Sequence, residues 1–173
     1  MLPKLSLILG GAASGKSAFA EGLVMASPQQ RIYIATAQAF DDEMRQKVQK
    51  HLEQRGPNWR TIEAPLDTAE TLRDLPEGTI VLLDCATMWR SNQMLAENDL
   101  ATAQAELLDA LQACSAHVVV VSNEVGLDVV PENALARRFR DAQGALNQAI
   151  AQQADLAVLV VAGLPMVLKG DLP

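Results

Sequence analysis

The eight residues GGAASGKS, at 10–17, constrain this chain more than any other stretch of it. They follow an apolar run, LSLILGG (5–11), and lead into SAFAEGLVMA, which has helical periodicity. A GxxxxGK[ST] spacing between strand and helix builds a loop whose backbone N–H groups converge on phosphate, with the positive end of the helix behind them. On that reading Gly10, Gly11, Ala12, Ala13, Ser14 and Gly15 form the cradle, Lys16 reaches the β- and γ-phosphates, and Ser17 offers a hydroxyl to Mg²⁺. The competing explanation is a chance Gly/Ala/Ser turn, and the flanking strand and helix disfavour it.

The rest of the chain supplies the scaffold such a loop needs. Strands are expected at 5–11, RIYIATA (31–37), WRTIEAP (59–65), TIVLLDCAT (79–87), HVVVVSNEVG (117–126) and LAVLVVAG (156–163). Several are apolar on both faces, the mark of strands covered by helices on two sides. Helical stretches lie between them: DDEMRQKVQKHLEQR, DTAETLRD, ATAQAELLDALQACS and ENALARRFRDAQGALNQAIAQQA. This alternation predicts an α/β fold with a mostly parallel central sheet, in one domain spanning 1–173. SNQMLAENDL (91–100) reads as an irregular excursion or a helix, and LPMVLKG as a short antiparallel return strand.

A phosphate loop needs an acid to manage its metal, commonly at the end of a neighbouring apolar strand. Asp84 in TIVLLDCAT has that position; the alternative is that it caps the following helix. Cys85 and Cys114 are the only cysteines and suggest core packing, not a disulfide framework or a zinc site. Net charge is −7, with 14 scattered basic residues, which argues against a nucleic-acid surface. No apolar run approaches a membrane span, and the N-terminus lacks the pattern of a signal peptide, so a soluble cytoplasmic protein is expected. The N-K-x-D and D-x-x-G motifs of signalling-type GTPases are missing: in SNEVG, Glu124 stands where the lysine would be.

His51 is one of only two histidines. In its helix Asp41 and Asp42 suit the N-terminus, and Met44, Val48, His51, Leu52 and Arg55 fall on one stripe at spacings of three and four. A neutral imidazole there could attack an α-phosphate, with Lys50 and Arg55 offsetting the developing charge. A partly buried structural histidine satisfies the same pattern, so local sequence leaves both readings open.

Several ordered blocks then carry a resemblance: GGAASGKS, YIATAQAFDDEM, HLEQRGPNWRTIEAP, VLLDCAT, and VSNEVGLDVVPENALARRFRDAQGALNQAIAQQAD followed by LVVAGLP. Together they resemble the bifunctional adenosylcobinamide kinase / adenosylcobinamide-phosphate guanylyltransferase family of cobalamin biosynthesis. The resemblance implies a RecA-like P-loop NTPase fold and two reactions. ATP or GTP phosphorylates the aminopropanol hydroxyl of adenosylcobinamide; GTP then guanylylates a histidine, and the GMP passes to the new phosphate. His51 matches the family's histidine. The resemblance further implies that Ala35, Thr36 and Ala37 border the nucleotide. It places Leu52, Glu53, Gln54 and Arg55 along the guanylyl site with Glu63 and Asp84, and suggests a homotrimer.

ENALARRFRD reads as an amphipathic helix with Leu135 and Phe139 on one face and a solvated arginine face. A corrinoid-facing or subunit-interface role is equally compatible with it. Two other functions stay in view: a plain small-molecule P-loop kinase without the nucleotidyl step, and a non-catalytic nucleotide-responsive module. Since one triphosphate site would serve two steps, the loop from Thr36 to Phe40 is expected to move.

Overall fold

The computed structural model describes residues 2–38 and 58–173. In chain order the elements are β1 (Leu5–Gly10), α1 (Lys16–Met25), β2 (Gln30–Ala35), β3 (Trp59–Glu63), α2 (Thr68–Arg73), β4 (Thr79–Asp84) and α3 (Ala86–Leu95). There follow α4 (Leu100–Ala113), β5 (His117–Asn123), α5 (Ala134–Gln153), β6 (Leu156–Val161) and β7 (Leu164–Lys169). The helix expected around His51 lies outside the described residues.

The strands form one sheet in the order β3-β2-β4-β5-β1-β6-β7. Every pairing is parallel except β6 with β7. Alternating side chains divide the apolar strands between two cores. Leu5, Leu7 and Leu9 of β1, with Ile32, Ile34, Val81, Leu83, Val118 and Val120, pack beneath α2–α5 through Leu72, Trp89, Leu107, Leu111, Leu146 and Ile150. Ile8, Tyr33, Ile80, Leu82, Val119, Val121 and Val158 face the other way, against Ala20 and Val24 of α1. This explains the nearly uninterrupted hydrophobic runs: both faces of the central strands are inside.

Two boundaries differ from the sequence expectation. β4 stops at Asp84 because Cys85 becomes the N-cap of α3, its sulfur accepting from Met88 N at 3.4 Å. α3 continues to Leu95 and a short turn leads directly into α4, so residues 91–100 form no excursion. Asp99 caps α4, accepting from Ala101 N at 3.0 Å. The return strand is present: a two-residue turn with Ala162 at φ 52° and Gly163 at φ 77° closes the β6–β7 hairpin, as the twist of the flanking strands favours. β7 is exposed along its whole length, including Leu164, Met166, Val167 and Leu168.

Parallel register brings the carboxyl ends of six strands to one edge. Ala35 lies opposite both Glu63 and Asp84, and Gly10 opposite both Asn123 and Val160. Open α/β sheets bind their ligands along this edge.

Candidate active site at the carboxyl edge of the sheet

The loop after β1 takes its shape from small residues at two tight points. Gly15 has φ 92°, which favours glycine, and a Cβ there would lie 3.1 Å from Gly163 Cα. Gly10 matters for space: a Cβ would collide with the Ser14 hydroxyl and come within 2.8 Å of Val160 O. Ser14 O accepts from Gly163 N at 2.8 Å, and Ser14 N donates to Gly11 O at 3.3 Å. The loop is thus fastened to the β6–β7 turn. Among the described residues Ser14 Oγ, which is buried, has no hydrogen-bond partner.

α1 opens at Lys16 with Gly15 as a left-handed N-cap, no side-chain cap and no acidic residue in its first turn. Its leading N–H groups and dipole therefore face the loop uncompensated, the arrangement that binds phosphate. Lys16 Nζ folds back to Gly11 O at 3.2 Å. Ser17 follows on the first turn of a helix packed against β4 and β5, which brings its hydroxyl's element alongside the strand that ends in Asp84.

Asp84 is not a helix cap, since Cys85 performs that task. Tyr33 Oη donates to Asp84 Oδ2 at 3.1 Å. Burial raises the pKa of the adjacent Cys85 thiol, and the Asp84 charge raises it further. Thr36 is entirely buried: its hydroxyl donates to Cys85 O at 2.7 Å and accepts from Cys85 N at 2.8 Å. Its carbonyl accepts from Asn92 Nδ2 at 2.7 Å, and the same amide donates to Pro65 O at 3.0 Å. Thr36 is therefore anchored at the end of β2; the end of the loop expected to move, at 39–40, lies outside the described residues. Ala35 is buried, Ala37 is half-buried and Glu63 is exposed at the end of β3.

Of the expected site, residues 10–17 thus form one cluster at β1 and α1, while Ala35, Ala37, Glu63 and Asp84 gather around the ends of β2, β3 and β4. His51, Leu52, Glu53, Gln54 and Arg55 lie outside the described residues. Sequence reasoning missed a buried polar set behind the edge. Ser122 Oγ donates to Asn147 Oδ1 at 2.6 Å, while Gln143 Nε2 reaches Ser122 Oγ at 2.8 Å and Asn147 Oδ1 at 2.9 Å. Gln143 and Asn147, spaced i, i+4 among the buried residues of α5, were the available signal.

Solved structures share this architecture at low identity. The RadB recombinase matches 91% of this chain and 74% of its own at 15% identity, with a TM-score of 0.54. An ATPase of a bacterial type III secretion system matches 95% of this chain and 56% of its own at 10% identity, with a TM-score of 0.60. These likenesses establish the P-loop NTPase fold alone. Sequence relatives go further. The bifunctional adenosylcobalamin biosynthesis protein CobP of Pseudomonas aeruginosa is 46% identical, over 95% of this chain and 97% of its own. The corresponding CobU protein of Salmonella typhimurium is 44% identical, over 94% and 98%. Residues 6–168 match the family described as cobinamide kinase / cobinamide phosphate guanyltransferase. Identity at this level along nearly all of both chains reflects common descent, and on it the chain belongs to the cobinamide kinase / cobinamide phosphate guanyltransferase family.

Proposed function

We propose that this protein phosphorylates the aminopropanol hydroxyl of adenosylcobinamide with ATP or GTP and then converts the product to adenosylcobinamide-GDP. In the second reaction His51 attacks the α-phosphate of GTP, pyrophosphate leaves, and the histidine-bound GMP passes to adenosylcobinamide phosphate. The observation that carries this reading is the intact phosphate loop and edge acid within a family match that spans both halves of the chain.

Lys16, the loop amides and the N-terminus of α1 hold the triphosphate. Ser17 and Asp84 are hard oxygen donors on packed elements, and two such protein oxygens, completed by water and phosphate, suit Mg²⁺. That ion would neutralise charge on the β- and γ-phosphates. Glu63 and the segment Ala35–Ala37 border the guanylyl half, with Leu52, Glu53, Gln54 and Arg55 following the nucleophile. The exposed apolar edge strand β7 supports self-association, and we infer a homotrimer. We also place the enzyme in the cytoplasm. Among the described residues no helix is long and apolar enough to cross a membrane.

The test is incubation with GTP labelled on its α-phosphate and Mg²⁺, followed by denaturation, beside His51→Ala. Acid-labile, base-stable label on the parent protein and none on the variant supports the histidine intermediate. Unlabelled parent protein that still binds GTP sinks the nucleotidyl step and favours a plain kinase or a binding module.

A further inference from the structure

Glu124 leaves the carboxyl edge of the sheet one residue beyond β5, and its backbone N–H donates to Gly10 O at 3.1 Å. Its main chain is therefore tied to the first residue of the phosphate loop. β5 lies between β1, which feeds that loop, and β4, which ends in Asp84. Strand spacing distinguishes the acids along the edge. At roughly 4.8 Å per neighbour, the strand of Glu124 is roughly 5 Å from that of the loop, the strand of Asp84 roughly 10 Å, and the strand of Glu63 roughly 19 Å.

The position is held from behind. Asn123 N–H donates to Thr87 Oγ1 at 2.7 Å, and Asn123 O accepts from Asn147 Nδ2 at 3.0 Å. Asn147 belongs to the buried Ser122–Gln143–Asn147 set and Thr87 Oγ1 lies 3.4 Å from Ser122 Oγ, so the set fixes the end of β5. Glu124 is half-buried. Its Oε1 accepts from Gly126 N at 2.6 Å, whereas Oε2 takes no hydrogen bond among the described residues. Just beyond, Leu127, Val129 and Val130 are 87%, 83% and 66% exposed. They leave an exposed apolar stretch that begins three residues after Glu124, suited to a bulky, partly apolar hydroxyl-bearing substrate.

We propose that Glu124 is the general base of the phosphoryl-transfer half-reaction. Its Oε2 takes the proton of the acceptor hydroxyl as that oxygen bonds to the γ-phosphorus. The bond from the γ-phosphorus to the β–γ bridging oxygen breaks, the nucleoside diphosphate leaves with the electron pair, and the carboxyl returns its proton to solvent. This rests on the kinase reading above. The guanylyl half has no such need, because its acceptor is an already ionised phosphate.

The chemistry predicts a split between half-reactions, tested with Glu124→Gln and Glu124→Ala. Glutamine keeps an oxygen for Gly126 N but cannot serve as the base. Phosphorylation of adenosylcobinamide by Glu124→Gln should fall about 100-fold or more, within the usual range for a lost general base. GMP transfer to supplied adenosylcobinamide phosphate should stay within about twofold, which also reports an intact fold. A glutamine variant with parental kinase rate beside a slow alanine variant overturns the proposal, because Glu124 would then only cap its loop. Equal loss of both half-reactions overturns it as well. A parent chain without any kinase step sinks the kinase reading itself, a result recognisable before any variant is made.

Discussion

Thr36 and Cys85 exchange two hydrogen bonds across the ends of β2 and β4: the threonine hydroxyl donates to Cys85 O at 2.7 Å and accepts from Cys85 N at 2.8 Å. Thr36→Val retains the shape and removes both; Cys85 O still accepts from Trp89 N at 3.1 Å, but the buried Cys85 N–H of the Asp84–Cys85 peptide is left unpaired, at a cost of about 1–3 kcal/mol. Thr36→Ser should retain most of the stability. Because the same peptide follows Asp84, the valine variant should lose turnover as well as stability. Denaturant melts and paired assays of both half-reactions check this.

Lys16 is the one side-chain cation of the phosphate loop. Lys16→Ala should weaken triphosphate binding and slow phosphoryl transfer by roughly 100-fold or more, the scale on which preorganised electrostatic contacts act. Its thermal midpoint without nucleotide should remain close to the parent's. Nucleotide titration followed by fluorescence or calorimetry measures the loss.

Asp84→Asn tests two consequences of one charge. If the carboxylate helps hold Mg²⁺, the variant needs more of the ion for half-maximal activity. Independently, the Asp84 charge is the second cause, after burial, of the raised Cys85 pKa. Removing it favours the thiolate, so the pH profile of Cys85 alkylation should move to lower pH. Cys114, raised mainly by its own burial, serves as the internal control and should keep its profile.

Arg90 is 1% exposed, and burial lowers its pKa. It donates to Leu100 O at 3.1 Å and to Gln104 Oε1, and its guanidinium carbon lies 5.2 Å from the Trp89 ring centroid. No carboxylate pairs with it among the described residues, and Nε has no partner. An apolar residue of similar reach removes that desolvation cost, so Arg90→Met should match or exceed the parent's stability by about 1 kcal/mol. Equilibrium unfolding decides it.

Asp99 has its pKa lowered by the Ala101 N–H first and the Thr102 hydroxyl second. A carboxylate depressed in the folded state contributes stability that is complete above its unfolded pKa and vanishes as pH falls through the folded value. Asp99→Ala should therefore melt at a lower temperature than the parent at neutral pH. The two curves should converge in acid, below the ordinary carboxylate range, as thermal scans across pH will show.

Where local pattern and tertiary context agreed, the chain was readable from its letters. Strand-length Val/Ile/Leu runs announced a doubly covered parallel sheet, and GGAASGKS announced both a loop and the helix after it. The strand-end position of Asp84 was legible because a strand end is a place that sequence can locate. Cys85 was harder: cysteine is an uncommon cap, so TIVLLDCAT read as one strand when its last residues already belong to α3. Thr36 was expected to border the nucleotide because the family resemblance implied it; its bonds to Cys85 and from Asn92, both distant in sequence, make it a buried anchor. Gln143 and Asn147 sat among apolar residues at helical spacing, but their partner Ser122 is more than twenty positions away, and such pairings have no local signature.

One peptide bond of the phosphate loop is held at the rim of the sheet, where Gly163 N–H meets Ser14 O at 2.8 Å. The outer hairpin is therefore a splint, and the stiffness of the nucleotide cradle is set partly by whatever grips β7. A polypeptide bound along that strand would steady the loop from outside, without touching a phosphate, and the last strand of the fold would become a handle on its first loop.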